Sequence, residues 1–198
     1  MSARAAVPAP PPLLAVANIH PDYLESCLEG TCSGSKFQCH LPPGTVTLVR
    51  QTAGGRGGRV YGVVGLWYFT GVCEQMRAGR TTWSRRFPWR VKFEPLVHHF
   101  QERFCEDFSV PLPTEGGHRT HRASLHVPGL VFTSLQGTIV RVPVVHSANY
   151  LRALMKARGP ELQGEADYLG SRVKLKKFLS DLAARLEEEA AKATPASS

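Results

Sequence analysis

The sequence has no long apolar run. Its hydrophobic stretches are short and carry Gly or Arg, so none approaches the roughly 20 apolar residues that a membrane-spanning helix needs. The first twelve residues, MSARAAVPAPPP, have no apolar h-region and so are no secretory signal; they read as a disordered Ala/Pro-rich tail. Arg4 is the one cation before Asp22, a thin basis for a transit peptide. The five cysteines are odd in number and include no CxxC. With no secretory signal they are expected to be reduced thiols, which points to an intracellular protein, nuclear or cytoplasmic. No internal repeat is visible, and alternating βα units are absent, which argues against a doubly wound sheet.

Catalytic signatures are missing as well. There is no G-x-S-x-G and no paired-carboxylate pattern. The Gly54-Gly55-Arg56-Gly57-Gly58 run is followed by neither Lys-Ser/Thr nor a helix, so it reads as a flexible turn and not a phosphate loop. Cys105 stands beside Glu106 and Asp107, whose charge disfavours a thiolate. Cys27, Cys32, Cys39 and His40 make C-x4-C-x6-C-H, a loose imitation of a zinc site without two tight ligand pairs. His98, His99, His118, His121 and His126 read as surface histidines in a basic setting. We therefore expect no enzyme, no metal and no cofactor.

What the chain has in excess is positive charge in one place. Nine cations lie between Arg50 and Lys92 against a single acid, Glu74, so that window holds the whole net charge of +8. Eight of the nine are arginine, the better fork for phosphate. A second stretch, Gly116 to Pro160, contains no acid at all. One-sided charge of this kind suits a polyanion such as RNA or DNA.

The 198-residue chain as a whole reads as α+β. Leu13 to Val16 predicts a strand, and Pro21 to Gly30 a helix with proline at its start and glycine at its stop. Thr45–Arg50, Val60–Phe69, Trp89–Val97, Gly129–Thr133 and Thr138–Val145 predict strands by alternation and β-branched content. Four of them, without Gly129–Thr133, are expected in one closed or nearly closed sheet with Val63, Val91, Phe93, Ile139 and Val142 in its core. Residues 98–108 look helical and 109–129 read as a long loop. Ser147 is a natural N-cap for a helix ending at Gly159-Pro160. A last helix from Ser171 carries Leu175, Phe178, Leu179, Leu182 and Leu186 at helical spacing.

One segment concentrates both aromatics and cations: Thr81-Thr82-Trp83-Ser84-Arg85-Arg86-Phe87-Pro88-Trp89-Arg90. An aromatic face offers stacking to a base, and arginine beside it offers a phosphate contact. Trp83, Ser84, Arg85, Arg86, Trp89 and Arg90, with Arg56 and Arg59, form the candidate nucleic-acid-binding set. Phe37 and Trp67 are candidates for a second aromatic wall. Of the tryptophans, Trp89 reads more as core than Trp83.

Four stretches carry a resemblance to a known group: Pro43 to Val49, Tyr61 to Gly65, Trp83 to Pro95, and Gly137 to Val144 leading to the helix from Ser147. In order and spacing the chain resembles the EVE/YTH domains of the PUA-like superfamily over roughly Leu13 to Arg158. The resemblance implies a curled β-barrel of about five to six strands flanked by helices. YTH domains hold methylated adenine of RNA in an aromatic cage, and EVE-like domains are implicated in reading modified DNA or RNA bases. Trp83 matches a cage tryptophan; the first cage tryptophan is missing, the chain reading Thr31-Cys32-Ser33-Gly34-Ser35-Lys36 there. The expected organisation is a tail over 1–12, a PUA-like domain over 13–158, a C-terminal helical extension over 159–192 and a tail over 193–198. The other reading is a protein-interaction or scaffold domain without a working base pocket, meeting a protein partner or a second copy through the C-terminal helix.

Overall fold

The computed structural model describes residues 8–51, 62–76, 87–100, 110–111, 122–123 and 139–193. The first strand, β1 (Leu14–Ile19), leads into α1 (Pro21–Gly30). His20 caps that helix through its Nδ1, which accepts from the Asp22 amide, and Asp22 lies in the first turn, where the helix dipole favours an acid. The left-handed residue that ends it is Thr31 (φ 44°), one position beyond the expected glycine. The chain continues through β2 (Cys32–Ser35), β3 (Val46–Gln51), β4 (Gly62–Gln75) and β5 (Trp89–Val97). The two-residue strands β6 (Val110–Pro111) and β7 (Arg122–Ala123) pair with each other. After β8 (Ile139–Arg141) come α2 (Val144–Ala157), a 3-10 turn (Gly159–Leu162), the hairpin β9 (Glu165–Tyr168) and β10 (Ser171–Lys174), and α3 (Leu175–Ala193).

Six strands form one mixed sheet in the order β2-β5-β4-β3-β1-β8. β1 and β3 run parallel, Leu14 opposite Val46 through Ile19 opposite Gln51. The other neighbours are antiparallel. The expected closure is corrected here: among the described residues β2 and β8 are two separate edges, and the sheet is open. The reason lies in its faces. One packs on α2, α3 and the β9–β10 hairpin through Leu14, Val16, Val46, Leu48, Leu66 and Tyr68. The other packs on α1 through Ala15, Ala17, Val49, Val64, Trp67 and Phe93. Helices cover both faces, so the apolar surface is buried without the strands closing on themselves. Val63, Val91, Phe93 and Val142 are buried as expected, and Ile139 is half-buried.

Several element boundaries differ from the sequence reading. β4 runs on to Gln75, turning through Gly71 (φ 91°) with a register shift between Phe69 and Cys73. The last strand of the sheet stops at Arg141, because Pro143 ends it, and Val144 and Val145 are helical. Ser147 is therefore not an N-cap but a buried residue of the first turn, its Oγ donating to the carbonyls of Val142 and Pro143. Ser171–Lys174, expected to begin the last helix, is the second strand of a hairpin. His98 to Phe100 are not helical, and 101–109 lie outside the described residues, as do the Gly54–Gly58 turn and the strand expected at Gly129–Thr133.

Both ends of the described chain are tied to the core. Pro10 is buried, and its carbonyl accepts from Arg185 on α3. The α3 stripe, Leu175, Phe178, Leu179, Leu182 and Leu186, is buried within this single chain. Across the same helix pair, Arg152 of α2 forks onto Glu187 with both bonds at 2.8 Å.

Candidate nucleic-acid interface

β5 lies between β4 and β2, and at its first residues all three strands are in register. Trp89 faces Gln75 on one side and Ser35 on the other, and Arg90 faces Glu74 and Gly34. One residue beyond, the Met76 amide donates to the Pro88 carbonyl at 2.8 Å and closes the β4–β5 pair. Trp83, Ser84, Arg85 and Arg86 fall between these anchors and lie outside the described residues. Their connection thus leaves from, and returns to, this end of the sheet.

The described residues at that end are aromatic and cationic. Trp89 is half-buried and Arg90 exposed. Phe37 is 72% exposed, and its amide donates to Ser35 Oγ at 3.2 Å, so it stands just past the strand position opposite Trp89. Lys36, next to it, is exposed. The one acid of the window, Glu74, is held by Lys92 at 2.7 Å. A solvent-facing phenylalanine is the least expected residue in this group, because a large apolar side chain left in water forgoes the gain of burial. No sequence signal singled out Lys36. β2 reads Cys-Ser-Gly-Ser, with little strand propensity, and only its pairing with β5 brings Lys36 and Phe37 to Trp89.

Of the predicted set, only Trp89 and Arg90 are among the described residues. Arg56 and Arg59 lie outside the described residues, in the connection from Gln51 to Gly62. Gln51 and Gly62 are paired at the opposite end of β4 from Gln75, and β4 is 14 residues long. Roughly 40 Å of strand contour separates the two connections at their anchors.

Arg50, counted above among the cations of the window, is 2% exposed. Its Nη1 donates to Asn18 Oδ1 at 2.9 Å across the parallel β1–β3 pair. Tyr150 of α2 is buried near it; burial pushes the phenol up and the Arg50 charge pulls it down, with burial the larger. Asn18 Nδ2 and the Tyr150 hydroxyl have no hydrogen-bond partner among the described residues. Arg50 therefore belongs to a polar patch of the core and not to a surface that meets phosphate. Trp67 is likewise internal: it is fully buried, its Nε1 donates to His98 O at 3.1 Å, and its ring lies 5.7 Å from Phe93. Of the two candidates for a second aromatic wall, Phe37 alone is exposed.

Among the described residues the C-x4-C-x6-C-H cysteines fall in two places and not in one cluster. Cys27 is buried on α1, its thiol pushed up to about 12 by burial and, secondly, by neighbouring Cys32. Cys39 lies instead against Cys73. No protein-family model matches the chain, and no curated protein does. The arrangement at the Trp89 end therefore stands on its own chemistry. It can stack planar rings on Phe37 and Trp89 and attract anions through Lys36 and Arg90. No helix among the described residues is long and apolar enough to cross a membrane.

Proposed function

We propose that this domain binds nucleic acid, RNA or DNA, with unpaired bases stacked at the Trp89 end of the sheet. The observation that carries the reading is the joint position of exposed Phe37, half-buried Trp89, Lys36 and Arg90 at the base of the 77–86 connection. That connection adds Arg77, Arg80, Trp83, Arg85 and Arg86 and no acid. Aromatic faces take any base, and arginines track the backbone between them. The likeness to EVE/YTH domains of the PUA-like superfamily supports the same reading, with Trp83 as one wall of a pocket for a modified base and Arg85 or Arg86 at its rim. The domain acts as a binding module and not as an enzyme, in the nucleus or cytoplasm, where such polymers are found.

The alternative, a scaffold that meets partners through the C-terminal helix, loses its main support, since the Leu/Phe stripe of α3 is spent on this chain's own core.

Titration of the full chain with short single-stranded oligonucleotides, modified and unmodified, tests the proposal. Binding is expected, with Trp83→Ala and Phe37→Ala each losing roughly tenfold to a hundredfold in affinity. Absence of binding at low salt, or affinity unchanged in both folded variants, would overturn it.

A further inference from the structure

We propose that Cys39 and Cys73 are a covalent modification site: hydrogen peroxide oxidises Cys39, and Cys73 resolves it as an intramolecular disulfide.

The pair is set by how the chain between β2 and β3 lies on the far half of β4. The Gly44 amide donates to Phe69 O at 2.7 Å. Pro43 packs on Gly71, so closely that a Cβ on that glycine would stand 3.0 Å from Pro43 Cγ. The Cys39 amide donates to Cys73 Sγ at 3.2 Å. As the numbering falls from 44 to 39, that on β4 rises from 69 to 73, so the segment runs antiparallel to the strand. Cys39 and Cys73 thus stand as cross-strand neighbours, 34 residues apart in sequence. The Cys73 sulfur lies 3.2 Å from the Cys39 backbone nitrogen, and the two thiols are near enough for Cys73 to act on the charge of Cys39, so the pair is placed for a cross-strand link.

The surroundings divide the roles. The Cys39 sulfur accepts the Leu41 amide, and Arg141 lies near enough to favour its thiolate; Arg141 also donates to the neighbouring His40 carbonyl at 3.0 Å. Burial is the largest effect and raises the thiol, with neighbouring Cys73 raising it further, so oxidation is slow beside that of a dedicated peroxide-reducing thiolate. Both cysteines are half-buried, within reach of a small oxidant, whereas Cys27 is 3% exposed. In the first step the peroxide O–O bond breaks and an S–O bond forms at Cys39, giving a sulfenic acid and one water. In the second, the Cys73 sulfur attacks that sulfur, the S–O bond breaks, the S–S bond forms, and a second water carries away the Cys73 proton. Two electrons pass from the two thiols to the peroxide.

The test uses the reduced full chain, treated with one to two equivalents of hydrogen peroxide, then alkylated, digested without reductant and read by mass spectrometry. The expected product is a Cys39–Cys73 linked peptide lighter by two hydrogens, with Cys27 alkylated only after denaturation. Closing a loop of this length should raise Tm by roughly 5–15 °C. In Cys73→Ser, whose reduced form should melt like the reduced parent, a sulfenic acid at Cys39 should be trapped by dimedone, and peroxide should not raise Tm. Linkage of either cysteine to a different partner would overturn the proposal. So would both thiols staying alkylatable after peroxide is consumed, or Cys73→Ser yielding no adduct at Cys39.

Discussion

The hydroxyl of Tyr168 donates to the carbonyl oxygen of Gly44, 2.9 Å away and 124 residues earlier in the chain. The bond ties the C-terminal hairpin to the turn that leads into β3. Tyr168 also packs edge-on against Tyr68, ring centres 4.9 Å apart, and meets the Phe178 ring of α3 in a tilted contact at 4.7 Å. Tyr68 in turn hydrogen-bonds Glu94 and accepts the Leu169 amide. Gly44 has φ 81°, and a Cβ there would run into the Tyr168 hydroxyl. Gly44→Ala is therefore expected to lower stability by about 1–3 kcal/mol, and Tyr168→Phe by about 1 kcal/mol. Urea unfolding measures both; a Gly44→Ala protein as stable as the parent would remove this turn from the core.

Alkaline pH should unfold the domain early. Tyr68 and Tyr168 are each pushed up from 10.0 to about 12, and Cys27 from 9.0 to about 12, burial being the largest cause in every case. Each group holds its proton more tightly when folded. The stabilisation is whole below the unfolded values and drains away as pH rises from about 9 through 12. Tm should be flat from pH 7 to 9 and fall above it, and Tyr68→Phe should soften that fall.

The α3 stripe predicts the outcome of truncation. Leu179 and Leu182 are fully buried in the core shared with the sheet. Leu182→Ala should cost about 2–5 kcal/mol. Removal of everything after Pro160 should give an insoluble or unfolded product in light scattering. A soluble, folded product would mean that the helix is an accessory.

Salt dependence separates the surface cations from the core one. If three to five cations meet phosphates, log affinity should fall against log salt with a slope of about −2 to −4.5. Arg90→Glu should flatten that slope by about 1 and leave Tm nearly unchanged. Arg50→Gln should do the reverse, because Arg50 is buried against Asn18. It should lower Tm and keep the slope.

Gly65 predicts a backbone constraint on β4. A Cβ at that position would stand 2.7 Å from His98 O, the atom that accepts the Trp67 indole. Gly65→Ala should push β4 off the segment after β5, exposing Trp67, and the red shift of its fluorescence would report it. Unshifted emission would mean that His98 yields instead.

The elements with a local cause were legible in the chain itself. Proline at its start and glycine at its stop are enough for α1, and regular leucine spacing is enough for α3, because both act within a few residues. The strand Trp89–Val97 shows its alternation for the same reason, and the charge of the 50–92 window is a matter of counting. Tertiary contact decided the rest. Whether the sheet closes depends on which faces helices cover. Whether Arg50 is a surface cation depends on Asn18 and Tyr150, which are distant in sequence. The hairpin before α3 looked like helix because Ser171–Lys174 has no strand signal of its own and is held by pairing with Glu165–Tyr168. Phe37 joins Trp89 only because Cys-Ser-Gly-Ser pairs with β5. Local propensity sets what a segment can be, but pairing and burial, which join residues far apart along the chain, set where it stands and which side chains meet.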